Sequence, residues 1–427
     1  MTDDILEVPL EEAYAKVSDI YKGTGIDIHQ ACAEMRAKAP IFEGDFIAQF
    51  GVPTNAGVHQ GTKPTFALFR YKDVMTVLRD ADTYTSGFIA KGLTAHFGGL
   101  VVLGMDGEEH RNLRKLLQVA FMPQTVNRWK DRIDDVMRSK FLEPIVDQKK
   151  ADIMQFGLQF PVRVMYALMG FPIDDNEAYN KFAAWALLMI GGNQVDPDKI
   201  EEAKLNAAKA SQSLLDAITQ IVVDRRALSE QDRPDDLMTY LLAAELEGRT
   251  LSDYEVATFV RSLLPAAGET TTRTFSSVLT LLFDTPGLLD RVRDDRSLIP
   301  KLIDETVRFE PVSTFKVRET SKEVEFHGVK IPAGSFVQSM VVSANRDEDV
   351  FEDPDVFNID RKQKPSFGFG FGPHMCIGQF VAKLELVSAL NACFDLLPNM
   401  RLDPDMPAPL IEGAQLRGSS KVHIVWD

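Results

Sequence analysis

Apolar residues along most of this chain recur at the spacing of an amphipathic helix. Between Pro197 and about Leu228 they are Ile200, Ala203, Ala207, Leu214, Ile218 and Ile221, one face of a long helix. A second long helix opens at Ser252. There Ser252 and Glu255 form a capping box, in which hydroxyl and carboxylate satisfy orphan N–H groups at the helix start. It can run to about Asp284, before Pro286, and its middle holds few charges, so it should cross the core. Shorter helices are predicted from Pro300 to about Phe309, ahead of Pro311, and from Ile377 to Leu397. Strand signals are confined. Val324–Phe326 and Val329–Ile331 alternate around His327-Gly328 and read as a hairpin; Phe336 to Val342 and Lys421 to Trp426 are further strands. The pattern predicts a mainly α fold with a minor β portion.

A length of 427 residues allows two or three domains at about 150 residues each. No internal repeat, low-complexity tract or Gly/Ser linker divides the chain, so a single domain over 1–427 is expected. Hydrophobic residues at 45% and charged residues at 26% exclude disordered, collagenous and disulfide-scaffold classes. The net charge of −16 repels phosphate backbones and anionic lipid, which argues against nucleic acid as a partner. Cys32, Cys376 and Cys393 make no paired framework, so a reducing, cytoplasmic compartment is expected. The N-terminus is acidic where a signal peptide is basic, and no apolar run approaches the roughly 18 residues of a membrane span.

The sharpest local signal is Phe367-Gly-Phe-Gly-Phe-Gly-Pro-His-Met-Cys376-Ile-Gly378. Glycines alternating with aromatics suit a bulged loop where backbone approaches a ligand closely. The glycines do not have dinucleotide-binding spacing, and no crossover unit follows. Instead the loop delivers one cysteine to the start of a helix, where N–H groups stabilise a thiolate and small neighbours leave room for a flat cofactor.

Phe369-Gly370-x-Gly372-x-His374-x-Cys376-x-Gly378 resembles, position for position, the haem-binding signature of the cytochrome P-450 family. The resemblance implies a triangular helical prism with a small β-rich lobe, and haem b between the long central helix and the helix after the cysteine. Cys376 would be the proximal thiolate of the iron, with Phe369, Gly370 and Gly378 against the cofactor. A thiolate pushes electron density that favours O–O cleavage. Glu305 and Arg308 match the family's ExxR, a pair on one helix face able to form a bidentate contact. Val356 stands where the family commonly places a third polar partner, which leaves Arg361 and Asn358 as candidates. Leu264 to Thr271 resembles the motif (A/G)-G-x-(D/E)-T, with Ala267 where glycine is preferred. Pro265 removes one ladder bond and should help open a groove there. Thr270 and Glu269 would then lie over the iron and manage protons. His110 and Arg114 match HxxxR and, with Arg318 and His374, would hold the propionates.

Segments carried over from the family would line a substrate pocket with Phe88, Leu100, Ala266, Ala267, Val312 and Phe315, which suggests a hydrophobic substrate. A basic cluster follows the HxxxR motif, Arg111, Lys115, Arg128, Lys130 and Arg132, and Arg111, Lys115, Arg128 or Lys364 would contribute to docking of an acidic ferredoxin. The implied function is insertion of one oxygen atom from O2 into a small hydrophobic molecule by hydroxylation or epoxidation. Electrons would come from NAD(P)H through ferredoxin reductase and ferredoxin, to a monomeric enzyme without membrane anchor or fused reductase. The alternatives are a non-catalytic haem-thiolate sensor, or a relative catalysing desaturation or C–C coupling.

Overall fold

The computed structural model describes residues 4–53, 63–89, 102–171, 175–192, 194, 196–246 and 248–427. Its helices include α1 (Leu10–Lys22), α2 (Ile28–Lys38), α3 (Tyr71–Arg79), α4 (Gly107–Gln118), α5 (Phe160–Met169), α6 (Asn176–Ile190), α7 (Pro197–Ala227), α8 (Asp253–Asp284), α9 (Ile299–Phe309) and α10 (Gln379–Leu396). The capping box is formed: Glu255 N–H donates to Ser252 Oγ, and Ser252 N–H to the Glu255 carboxylate. From there α8 is buried on nearly every side and packs against α5, α6, α7, α9 and α10. The groove expected at Pro265 is not a break in the helix, which runs unbroken to Asp284. Packing is close there: a Cβ on Gly268 would stand 2.7 Å from the Val162 side chain of α5.

The strands include β1 (Ile41–Glu43), β2 (Thr65–Leu68), β3 (Tyr84–Thr85), β4 (Lys150–Asp152), β5 (Lys316–Thr320), β6 (Val324–Phe326), β7 (Val329–Ile331), β8 (Phe336–Ser339), β9 (Arg401–Leu402) and β10 (His423–Val425). One sheet has the order β1-β2-β8-β5-β3, a second β9-β10-β4. The hairpin β6–β7 forms as predicted, with positive φ at His327 (49°) and Gly328 (83°), the backbone of a tight primed turn. The strand expected over Phe336 to Val342 ends instead at Ser339. Its parallel partner β2 ends opposite, at Leu68, so the ladder runs out. The chain then turns into a short helix, in which Ala344 N–H donates to the Met340 carbonyl at 2.9 Å.

Beneath the core, the Glu305 carboxylate on α9 accepts from Arg308 Nε at 2.8 Å and from Arg308 Nη2 at 2.7 Å. Arg361 supplies the third member, its Nε donating to Glu305 Oε1 at 3.1 Å, and Asn358 adds its backbone N–H at the same distance. Val356, in the position first considered, is 56% exposed and takes no part by side chain. Just after α9, Glu310 meets Arg417 at 2.7 Å, His29 at 3.0 Å and Arg346 at 3.0 Å. Burial opposes its ionisation, but these cations outweigh that and hold its pKa down at about 2.

Replacing Arg308 by alanine breaks a buried bidentate ion pair and leaves Glu305 only Arg361 and the Asn358 N–H, and stability measured by denaturant unfolding should fall by about 3 kcal/mol; a loss below about 1 kcal/mol would refute this role. Glu310 binds its proton less readily when folded, so its contribution is complete above an unfolded pKa of 4.5 and is lost as pH falls toward about 2. Glu310→Gln should therefore flatten the loss of stability over that window.

Candidate active site

Hydrogen bonds fold the glycine-rich loop onto itself. Phe367 N–H donates to Asn345 Oδ1 at 2.8 Å, Gly370 N–H to the Phe367 carbonyl at 2.8 Å, and Cys376 N–H to the Phe369 carbonyl at 2.7 Å. Gly370 and Gly372 have φ of 75° and 69°, and a Cβ on Gly372 would stand 2.4 Å from the Leu78 carbonyl oxygen. Only glycine meets both demands. Cys376 thereby sits just ahead of α10, deep in the protein yet open to an internal cavity. Burial raises its pKa, opposed by the Gly378 N–H, Lys316 and Arg114. A bound metal cation would hold the thiolate form.

The cavity, of about 460 Å³, lies between α8 and the loop–α10 unit. Ala266, Ala267, Val312 and Phe315 line it as expected, as do Phe369, Gly370 and Gly378. Phe88 does not. Its ring packs 4.9 Å from that of Phe336 in the core beside the sheet, where an aromatic contact satisfies it. Leu100 lies outside the described residues.

His374 and Arg318 also line the cavity. His110 stacks on His374 with ring centroids 4.0 Å apart. Burial and neighbouring cations push the pKa of His374 down to about 3, and that of His110 falls for the same reasons, so both rings are neutral. Arg114 donates to the Met375 carbonyl and so ties α4 to the cysteine loop. Burial draws Arg318 down to about 10, still charged at neutral pH. Neither arginine makes an ion pair with an acid among the described residues, and His110 Nε2 is buried without a partner.

Thr270 faces the cavity, its hydroxyl donating to the Ala266 carbonyl at 2.9 Å. Glu269 was expected beside it over the pocket, and the structure corrects this. Adjacent helical residues diverge by about 100°, and Glu269 Oε1 is held at 2.5 Å by Arg273 on the flank facing α1. Arg273 reaches Ser18 Oγ at 3.0 Å and lies over the Tyr14 ring. Turning Glu269 toward the cavity would strand a buried guanidinium, at a cost of about 3–5 kcal/mol. Sequence reading missed Glu385 of α10. It lines the cavity, burial raises its pKa far above the usual carboxylate range, and Oε1 has no partner. The available signal was an acid between Val381 and Ala389 on an otherwise apolar helix stripe.

This donor set fits a haem: one sulfur for the metal, an apolar slot, two guanidiniums in no ion pair among the described residues for two propionates, and an orphaned ring nitrogen beside them. The sequence profile of the family described as Cytochrome P450 matches residues 55–406. Erythromycin C-12 hydroxylase of Saccharopolyspora erythraea is 34% identical over 342 residues, 79% of this chain and 83% of that protein. Cyclomarin C epoxidase CymV of Salinispora arenicola is 32% identical over 77% of this chain and 82% of its own length. Substrate-free CYP109E1 from Bacillus megaterium superposes with a TM-score of 0.80 at 26% identity, covering 93% of this chain and 98% of that one. Profile, relatives, helical architecture and a cysteine loop that opens onto an apolar slot lead to one conclusion: the chain belongs to the cytochrome P450 family, enzymes that carry haem b on a cysteine thiolate.

Proposed function

We propose that this P450 monooxygenase hydroxylates or epoxidises a small hydrophobic molecule bound over Cys376, with electrons from an acidic ferredoxin. The observation that carries the reading is a single cavity shared by the Cys376 sulfur, Thr270 and the apolar walls Ala266, Val312 and Phe315. When bound, the haem supplies oxygen activation, its thiolate ligand favouring O–O cleavage. Cys376 would hold it, and Arg318, Arg114, His374 and His110 would neutralise and hydrogen-bond the propionates. The walls exclude water, and Thr270 Oγ1 is a hydroxyl of α8 able to hold and pass a proton within the cavity. The Arg273-bound Glu269 anchors α8 to α1 in this reading.

Docking of the donor rests on α4. Arg111, Lys115 and Val119 follow one another at four-residue spacing, all three exposed, and Val119 is 52% and Met122 39% exposed. Neither Arg111 nor Lys115 pairs with an acid among the described residues. Arg128, Lys130 and Arg132 are engaged locally, by Asp235, Asp134 and the Ala167 carbonyl. Lys364 is likewise committed to the Val350 carbonyl.

Reconstitution with a ferredoxin, its reductase, NADPH and O2 tests the reading. Oxygenated product should form from a hydrophobic substrate that shifts the haem spectrum; consumption of O2 without product from any such ligand would overturn it. Thr270→Ala should keep haem and ligand binding but lower product formation roughly 10²-fold, with the electrons recovered as hydrogen peroxide. Lys115→Glu should slow reduction by the ferredoxin several-fold at low salt, the difference closing as ionic strength rises. Reduction rates indifferent to both changes would remove the docking role.

A further inference from the structure

Lys316 is a cation with no carboxylate partner among the described residues. It stands two residues before Arg318 on β5, so both side chains leave the same face of the strand. Both line the cavity, together with Val312 and Phe315 just upstream. Lys316 lies deep in the protein, and its electrostatic neighbours are Arg318 and Cys376 rather than any acid. Among the described residues no carboxylate pairs with it. Glu385, the acid that shares the cavity, is turned to Thr271 and favours its neutral form. The two propionates have Arg114, Arg318, His374 and His110 at hand, so a further ammonium is surplus to the cofactor.

An isolated ammonium in an apolar cavity is costly and persists where a partner arrives to neutralise it. In ligand pockets, a few charged groups among apolar walls fix orientation and specificity. One ammonium balances one negative charge, which matches a carboxylate better than a doubly charged phosphate. We propose that Lys316 determines substrate specificity by pairing with an anion, and that the substrate is a hydrophobic molecule bearing a carboxylate. This deepens the reading of a hydrophobic substrate in the same cavity and rests on it.

The test uses the holoenzyme and two series of probes of graded chain length, ω-imidazolyl alkanoic acids and the matching ω-imidazolyl alcohols. The imidazole nitrogen ligates the iron and shifts the spectrum whatever the natural substrate, so each pair yields two dissociation constants. At one or more chain lengths the acid should bind at least about tenfold more tightly than the alcohol, about 1.4 kcal/mol. Lys316→Met should abolish that advantage and leave the alcohol's affinity unchanged, and Lys316→Arg should retain part of it. Lys316→Gln serves as the second neutral variant should the methionine protein not fold. Equal affinities at every length in the unaltered protein, or an acid preference that survives both neutral variants, would overturn the proposal. So would loss of haem occupancy in those variants, which would mark Lys316 as a propionate partner. Failure of the underlying reading looks different: the alcohols themselves would gain no affinity as their chains lengthen.

Discussion

One guanidinium connects the helical core to the cysteine loop. Arg308 is fully buried, shares the Glu305 carboxylate with Arg361, and donates to the carbonyls of Asn345 at 2.9 Å and Pro354 at 3.0 Å. Asn345 in turn accepts the Phe367 N–H, the first bond of the loop that ends at Cys376. The position of the sulfur is thus set through a chain of buried, charge-assisted contacts from α9. Such contacts resist distortion because each broken member leaves another group desolvated and unpaired. Apart from one 3-10 turn at Gly372–His374 the loop has no regular secondary structure, so its shape depends on this external clamp and on glycines that permit positive φ.

Charge is distributed across the cavity in a way that serves the chemistry. Arg318 and His374 line the cavity, with Arg114 and His110 beside them, and burial keeps both imidazoles neutral; such a set could neutralise two carboxylates and still hydrogen-bond them. The side facing α8 is apolar apart from Thr270, Thr271 and Thr274, whose hydroxyls are small and rotatable. The strong acid–base pair Glu269–Arg273 is kept out of the cavity, on the flank of α8 that packs against α1. A dry pocket strengthens every remaining electrostatic contact inside it. That is why one further ammonium at Lys316 has such leverage over what can bind.

Local chemistry was legible wherever a few adjacent residues suffice. The Ser252–Glu255 box, the His327-Gly328 turn, the proline-bounded α9 and the glycine loop ahead of α10 are each dictated by backbone preferences that act over three to twelve residues. The ExxR pair was legible for the same reason, since i and i+3 on a helix meet whatever surrounds them. Its third partner was legible only as a choice between Arg361 and Asn358: Arg361 arrives from fifty-six residues away, and the packed structure brings both to Glu305.

The sequence by itself determined the helical class, the cysteine loop and the identity of the sulfur, because propensity, capping and positive-φ glycines act through short-range sterics. Tertiary structure alone decided which way each side chain looks. Glu269 turned to Arg273, Phe88 joined the core, β8 stopped where its partner ended, and Glu385 and Lys316 were brought into the cavity. Each outcome depends on burial and on which distant group supplies a partner, quantities that exist only once the chain has packed.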